Sequence, residues 1–387
     1  MPPYLAGRTD EIQEFERLLQ QPVILENLVL TGLRGVGKTV LMDTLKPIGM
    51  KSGWLWVGTD LSEAASLSEE NIATRLLADL SVITSSLTIG SEPVRAMGFK
   101  AQDNATEIKL GYENLTYLYD TTPGLVADKL KAVLGMVWDL LREQDMRGVI
   151  FAYDEAQNLS DHAKRDQRPL SLLLDVFQSI QRKEIPFMLL LTGLPTLFPK
   201  LVEARTYAER MFRVVTLNRL DATASREAIL KPITLDRCPV AFDEPSIQSI
   251  IQVSGGYPYF IQFICREVFD VFLQKLDGGE SPVVPVNAIV RKLDTDFFSG
   301  RWARATDRQR DLLMLAARLP HAESEFTVQE IVEKSAEVLQ KPFSASHVNQ
   351  MLSSLAEAGL IYKNRHGKYL FAVPLLGQFI LRQMKEA

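Results

Sequence analysis

Hydrophobic and polar positions follow two different periods along this chain, and the point where they change over divides it. Four short runs, "NLVLTG", "GWLWVGTD", "RGVIFAYDE" and "IPFMLLLTG", are apolar at successive positions, the pattern of strands buried on both faces. Between them "SLSEENIATRLLADLSVI", "GLVADKLKAVLGMVWDLLRE" and "PLSLLLDVFQSIQRK" place apolar residues at helical spacing. Ser66, three residues before Glu69, predicts a capping box at the first of these helices. Strand–helix alternation of this kind predicts a parallel sheet covered by helices. Residues 98–118, "GFKAQDNATEIKLGYENLTYL", break the rhythm; polar and partly alternating, they read as a hairpin insertion.

Beyond about Leu220 the period is almost purely helical. "ATASREAILKP", "DEPSIQSIIQVSGG", "PYFIQFICREVFDVFLQKL" and "VNAIVRKLDTDFF" predict a small bundle with a loop at 276–285. From Arg301 the pattern is helix (306–319), helix (327–338), helix (344–358) and then a β-ribbon over "GLIYKNRHGKYLFAV", the order of a winged helix-turn-helix. The expected organisation is an α/β core over 1–218, a helical lid over 219–299 and a winged helix over 300–387.

Composition narrows the classes. A formal charge of −5 over 387 residues excludes a surface basic all over, while leaving room for a local nucleic-acid face. Cys238 and Cys265, 27 residues apart and without a CxxC, together with only four histidines, argue against a disulfide framework or a cysteine–histidine metal site, and suit a reducing cytoplasm. The longest apolar stretches are too short and interrupted to span a bilayer, so a soluble protein is expected.

Two stretches carry candidate chemistry. "LTGLRGVGKTVLM" runs from an apolar strand into Gly32-x4-Gly37-Lys38-Thr39, which matches G-x-x-x-x-G-K-[ST]. Glycines let backbone N–H groups converge on an anion, so Gly32, Gly35, Val36 and Gly37 would cradle phosphates, and the helix starting near Lys38, with Thr39 and Val40, would add its positive end. In this motif the Lys38 ammonium reaches the β/γ-phosphates of ATP or ADP and the Thr39 hydroxyl ligates Mg²⁺. "GVIFAYDEAQNL" ends an apolar strand in Asp154-Glu155, where Asp154 would hold the Mg²⁺ and Glu155 would polarise an attacking water. A carboxylate in that second place favours hydrolysis over transfer to a small acceptor.

With these motifs the chain resembles AAA+-type P-loop ATPases of the initiator-like (origin-recognition-like) and STAND-like branches, in the form of prokaryotic ATP-binding proteins ending in a winged helix. The likeness covers nearly the whole length and rests on six motifs in order. "YLAGRTDEIQEFERLL" resembles the N-terminal box that would set Gly7 and Arg8 beside the base or ribose; "GLRGVGKT" and "VIFAYDE" resemble Walker A and B. "LLLTGLPTL" resembles the sensor 1 strand, which implies that Thr192 senses the γ-phosphate. "TYAERMFRVVTLNRLD" puts Arg210 where the family carries an arginine finger acting on a neighbouring copy, and "GGYPYFIQ" resembles the lid turn, with Gly256, Tyr257 and Pro258 near the adenine. The chain departs from the initiator branch in lacking a lid arginine in "SGGYPYF", and from the STAND branch in having Gly193-Leu194-Pro195 after sensor 1.

The C-terminal unit bears on partners. The helix from Ser344 would turn Val348, Met351, Leu352 and Leu355 inward and Ser346, His347, Asn349, Gln350 and Ser353 outward, toward base edges or phosphates of DNA. Lys363, Arg365, His366 and Lys368 would form a wing tip for backbone phosphates. Residues 301–387 carry twelve Lys and Arg against nine Asp and Glu, yet the helix itself has no Lys or Arg. A winged helix that docks a protein or its own core is the alternative, and would make the chain a STAND-like signalling or defence ATPase. A homo-oligomer or partner protein is implied by the finger; no membrane is.

Overall fold

The structure is a computed structural model that describes residues 4–93, 105–235, 242–277, 284–321, 325–365 and 367–386. The chain forms two units, one of residues 9–31 and 38–216, the other of residues 4–8, 32–37 and 217–386.

The first unit is built on a parallel five-stranded sheet. Its strands are β1 (Asn27–Thr31), β2 (Trp54–Val57), β5 (Gly148–Tyr153), β6 (Phe187–Gly193) and β7 (Phe212–Thr216), in the order β2-β5-β6-β1-β7. Every residue of β1, β5 and β6 is buried, as continuous apolar runs demand of strands covered on both faces. In the register, Leu30 of β1 lies beside Thr192 of β6, and Tyr153, the last residue of β5, lies beside Leu191. The strand carrying Thr192 thus separates the strand that enters the glycine turn from the one that ends before Asp154. Helices Glu69–Thr84, Val126–Arg142 and Pro169–Gln181 bury apolar stripes against the sheet.

Where the chain enters the sheet Asn27, 1% exposed, ties β1 to β6 and to the ends of the helices Pro169–Gln181 and Ala208–Met211. Its Oδ1 accepts from the Leu189 N–H at 2.8 Å and from Gln181 Nε2 at 2.8 Å, while its Nδ2 donates to the Met211 carbonyl at 3.1 Å. A buried amide with its partners in place holds β1 beside β6 and fixes the two helix ends against it.

Two local expectations change. The helix expected to be capped by Ser66 begins at Glu69, with Ser68 as N-cap accepting from the Asn71 N–H at 3.1 Å. Ser66 is buried instead, its hydroxyl accepting from the Ser160 N–H at 2.8 Å, so a tertiary contact claims the side chain that the local pattern assigned to a cap. Around the 98–118 segment, β3 (Thr88–Pro93) and β4 (Ala105–Lys109) pair antiparallel, and Tyr112–Thr121 is helical; residues 98–104 lie outside the described residues.

The second unit is mostly helical. Ala222–Leu235, Glu244–Ser254, Pro258–Asp277 and Val286–Leu293 pack around Phe260, Ile264, Val268 and Phe272. Helices Asp307–Ala317, Val328–Val338 and Ala345–Glu357 follow, with a small sheet in the order β8 (Phe326–Thr327), β10 (Lys368–Phe371), β9 (Ile361–Arg365), the arrangement of a winged helix-turn-helix. Thr306 and Thr327 cap two of its helices in full capping boxes with Gln309 and Glu330. Among the described residues no helix is long and apolar enough to cross a membrane.

Candidate functional site

The glycine turn is held by the second unit's own residues. Gly35 and Gly37 take φ of 80° and 92°, backbone that a side chain disfavours, and the space where a Cβ of Gly37 would project is open. Arg8, 6% exposed, donates to the Val36 carbonyl at 3.0 Å and to the Asn218 carbonyl at 2.7 Å. The Tyr259 N–H donates to the Gly35 carbonyl at 3.1 Å. Two carbonyl oxygens of the turn are therefore occupied by protein donors. Arg8, expected at a base or ribose, here clamps main chain, with Gly7 in left-handed backbone against Ala224 beside it. Tyr257 is half-buried and edge-on to Phe260, its N–H donating to the Ser254 carbonyl at 3.1 Å, and Pro258 opens the helix Pro258–Asp277. Gly256 accepts the Leu220 N–H at 2.8 Å.

In the first unit, Lys38 is the first residue of the helix Lys38–Lys51 and Val40, half-buried, lies in its first turn. Asp154, 3% exposed, follows β5 and collects three donors. Its Oδ2 accepts from Thr39 Oγ1 at 2.5 Å, and its Oδ1 accepts from the Glu155 N–H at 2.7 Å and from the hydroxyl of the fully buried Thr192. Burying a carboxylate is costly unless donors satisfy it, and these do. Thr39, Asp154 and Thr192, far apart in sequence, meet on one carboxylate. Glu155 is exposed and sits in left-handed backbone at φ 50°, ψ 34°, which costs a non-glycine residue about 1 kcal/mol. Such strain concentrates at working positions.

This donor set can be tested against Mg²⁺. The Thr39 hydroxyl and Asp154 carboxylate are hard oxygen donors already in contact. Among the described residues no cluster of three or more His, Cys, Asp or Glu is able to hold a metal alone. Two protein oxygens, with the rest from water and substrate phosphate, are what Mg²⁺ takes. The residues fit that ion.

The arginines sort themselves by partner. Arg205 forms a bidentate pair with Asp175 at 2.8 and 2.6 Å, and the Tyr207 hydroxyl donates to the same carboxylate at 2.6 Å. Burial raises the proton affinity of Asp175, but the Arg205 and Tyr207 donors outweigh it and hold the carboxyl below its ordinary range. Arg213 pairs with Glu14. The Arg210 side chain makes no hydrogen bond or ion pair among the described residues, and lines a 480 Å³ cavity with Leu25, Gln178, Arg182, Glu184 and Tyr207. That cavity lies where the chain enters β1, β6 and β7, whereas Asp154 and Thr192 lie where β5 and β6 end. Seven residues of β6 put about 20 Å between those edges. Arg210 is thus not brought to the Asp154 cluster of its own unit.

On the winged helix, Val348, Met351, Leu352 and Leu355 are buried, Ser346, Asn349, Gln350 and Ser353 are exposed, and His347 is half-buried, edge-on to Phe343. Lys363 is exposed and Lys368 half-buried, while Arg365 is bound by Glu325 at 2.5–3.0 Å; His366 lies outside the described residues. Of the wing cations, Arg365 is neutralised within the protein.

Comparison places this geometry. Residues 295–380 match a family model described as "Domain of unknown function (DUF8462)". No curated protein matches the sequence. Among solved structures, the Walker-type ATPase PABY2304 of Pyrococcus abyssi superposes with a TM-score of 0.60 at 15% identity, over 97% of this chain and 96% of that one. The ORC2 protein of Aeropyrum pernix, in its ADPNP–ADP complexes, gives 0.52 at 15% identity over 100% and 96%. The chain shares the fold of these two proteins. At such identity the likeness establishes the fold and leaves residue roles to the geometry.

Within this sheet unit the sequence pattern overlooked two clusters. Tyr153 donates to Asp79 at 2.9 Å, and Asp79, 2% exposed, is paired with Arg75, which ties the strand before Asp154 to the helix Glu69–Thr84. Gln157 bridges Glu155 to the residues after Thr192. Neither has a periodic signature; a carboxylate at an apolar helix position, Asp79, was the one available sign.

Proposed function

We propose that the chain binds and hydrolyses Mg·ATP and uses nucleotide state to control assembly and DNA binding through its winged helix. The observation that carries this reading is the buried Asp154 carboxylate, shared by the hydroxyls of Thr39 and Thr192 and followed directly by the exposed Glu155. In it, Gly32, Gly35, Val36 and Gly37 give N–H groups to phosphate oxygens and Lys38 adds charge at the β/γ-phosphates. Thr39 and Asp154 would hold Mg²⁺, which would supply positive charge against the triphosphate. Thr192 meets the γ-phosphate and Glu155 takes the proton of the attacking water. Tyr257 and Pro258 face the base, with Gly7 and Arg8 supporting the turn behind it. Two cysteines suit a reducing cytoplasm, and burial pushes the Cys265 thiol up to about 12, which makes it inert.

Arg210 completes the reading as a finger for a neighbouring copy. Its guanidinium, without a partner among the described residues, and its position at the opposite strand edge from Asp154 support action in trans. Arg210→Ala is expected to leave ATP binding by the monomer nearly unchanged while removing ATP-dependent oligomers and lowering hydrolysis by on the order of a thousandfold. Light scattering and phosphate release, with and without ATP, decide it. A wild type that stays monomeric with ATP, or a variant that hydrolyses normally, rules the trans role out.

The second reading, a STAND-like switch whose winged helix binds protein, is favoured by the neutral recognition helix and by the capture of Arg365 by Glu325. A DNA shift assay on the full chain over a salt series separates the two. DNA binding that weakens steeply with salt supports the first; absence of binding at low salt leaves the second.

A further inference from the structure

Gln157 occupies a position that the nucleotide motifs do not explain. It lies in the short 3₁₀ turn Ala156–Asn158 just after Glu155. Its side-chain Oε1 accepts from the Leu194 N–H at 3.1 Å, and its Nε2 donates to the Glu155 carboxylate. The orientation of the amide is not arbitrary. A main-chain N–H only donates and an ionised carboxylate only accepts, so Oε1 must face Leu194 and Nε2 must face Glu155. Exchanging the two would break both bonds.

The turn around it is pinned on several sides. Lys200 Nζ donates to the Gln157 carbonyl at 2.6 Å, and Asn158 Nδ2 donates to the Leu61 carbonyl at 2.8 Å. The Asn158 N–H donates to the Glu155 carbonyl at 2.9 Å. Gly193 supplies the room: a Cβ there would stand 2.6 Å from Gln157 Oε1, so the bridge requires glycine directly after Thr192. The amide therefore spans from the end of the strand that carries Thr192 to the carboxylate that follows Asp154. Thr192 and Glu155 are already linked once through Asp154, by the Thr192 hydroxyl and the Glu155 N–H on the same Oδ1. Gln157 closes a second link on the other side, between side chain and main chain.

We propose that Gln157 is a positioning residue for hydrolysis, holding the Glu155 carboxylate in register with the Thr192 strand end through its Leu194 contact. This role rests on the reading of Glu155 as the group that takes the proton of water. Glu155 needs such support because it is exposed and its backbone is strained, so its side chain is otherwise free to rotate. A carboxylate displaced by about 1 Å from its working place loses on the order of a hundredfold in rate.

The test is steady-state and single-turnover ATP hydrolysis by the full chain, for wild type, Gln157→Ala, Gln157→Glu, Glu155→Gln and the double variant Glu155→Gln/Gln157→Ala. Gln157→Ala is expected to lower kcat by on the order of tenfold to a hundredfold with KM and ATP affinity within about threefold of wild type. Gln157→Glu, which keeps the Leu194 contact and sets a second carboxylate against Glu155, is expected to do at least as much damage. In the double variant the Gln157 change should add less than about twofold, because the group it positions is already gone. Three results overturn the proposal. The first is unchanged kcat in Gln157→Ala. The second is a full additional loss on the Glu155→Gln background, which would assign Gln157 a role independent of Glu155. The third is a fall in ATP affinity equal to the fall in rate, which would make the residue a binding or folding element. A wild type that binds ATP and releases no phosphate would overturn the hydrolytic reading itself and this role with it; intact wild-type turnover with an insensitive Gln157 removes the role alone.

Discussion

Lys38→Ala is expected to weaken ATP binding by on the order of a hundredfold to a thousandfold with little change in thermal stability. Lys38 stands at the first position of the helix Lys38–Lys51 and is half-buried, so its removal leaves no core cavity. Alanine is also the better helix former, and backbone cost therefore does not confuse the result. What disappears is a charge at the phosphates. A charge-assisted hydrogen bond contributes about 1.5–3 kcal/mol, and an ammonium placed between two phosphates makes more than one. A loss of about 3–4 kcal/mol corresponds to the stated range of affinity. Calorimetric titration with ATP, beside a melting curve for each protein, reads both quantities. Wild-type affinity in the variant would show that the glycine turn is not a phosphate site.

Glu155→Gln separates binding from chemistry. The change is isosteric and removes one negative charge that lies outside the Asp154 cluster, since Asp154 receives only the main-chain N–H of Glu155. Glutamine at 155 still offers an oxygen to Gln157 Nε2. Mg·ATP affinity is expected to stay within about threefold, while turnover falls by on the order of a hundredfold to ten-thousandfold, the usual contribution of a general base. Single-turnover phosphate release at saturating ATP gives the rate without interference from product release. Turnover that survives the change would mean that the base lies elsewhere.

How much of this was written in the pattern of residues can be judged element by element. Strands β1, β5 and β6 were legible because each is a mostly apolar run closed by a motif that punctuates it: glycines after β1, Asp154 after β5, Gly193 at the end of β6. The winged helix was legible because Val348, Met351, Leu352 and Leu355 mark one face and the ribbon follows at once. Capping was less so, because Ser66 and Ser68 are equally good caps by type and only the Ser160 contact decides between them. The convergence of Thr39 and Thr192 on Asp154 is a matter of strand order, which periodicity does not encode. Pairing of arginines was hidden for a similar reason. Arg205, Arg210 and Arg213 look alike in sequence, and Asp175 and Glu14, 30 and 199 residues away, distinguish the two that are occupied from the one that has no partner among the described residues.

The clamp from Arg8 to the Asn218 carbonyl joins residues 210 positions apart. A chain made from its N-terminus has all of residues 9–216 in hand before Asn218 exists. The parallel sheet can therefore close during synthesis, while Ala6, Arg8 and the turn 32–37 wait for partners that emerge later. Loop-closure entropy grows only with the logarithm of length, so the wait adds little to the final free energy; its consequence is temporal. The glycine turn meets these partners only after the sheet's residues are made, and a ribosome-bound fragment ending near residue 216 would carry a finished sheet and an unfinished turn.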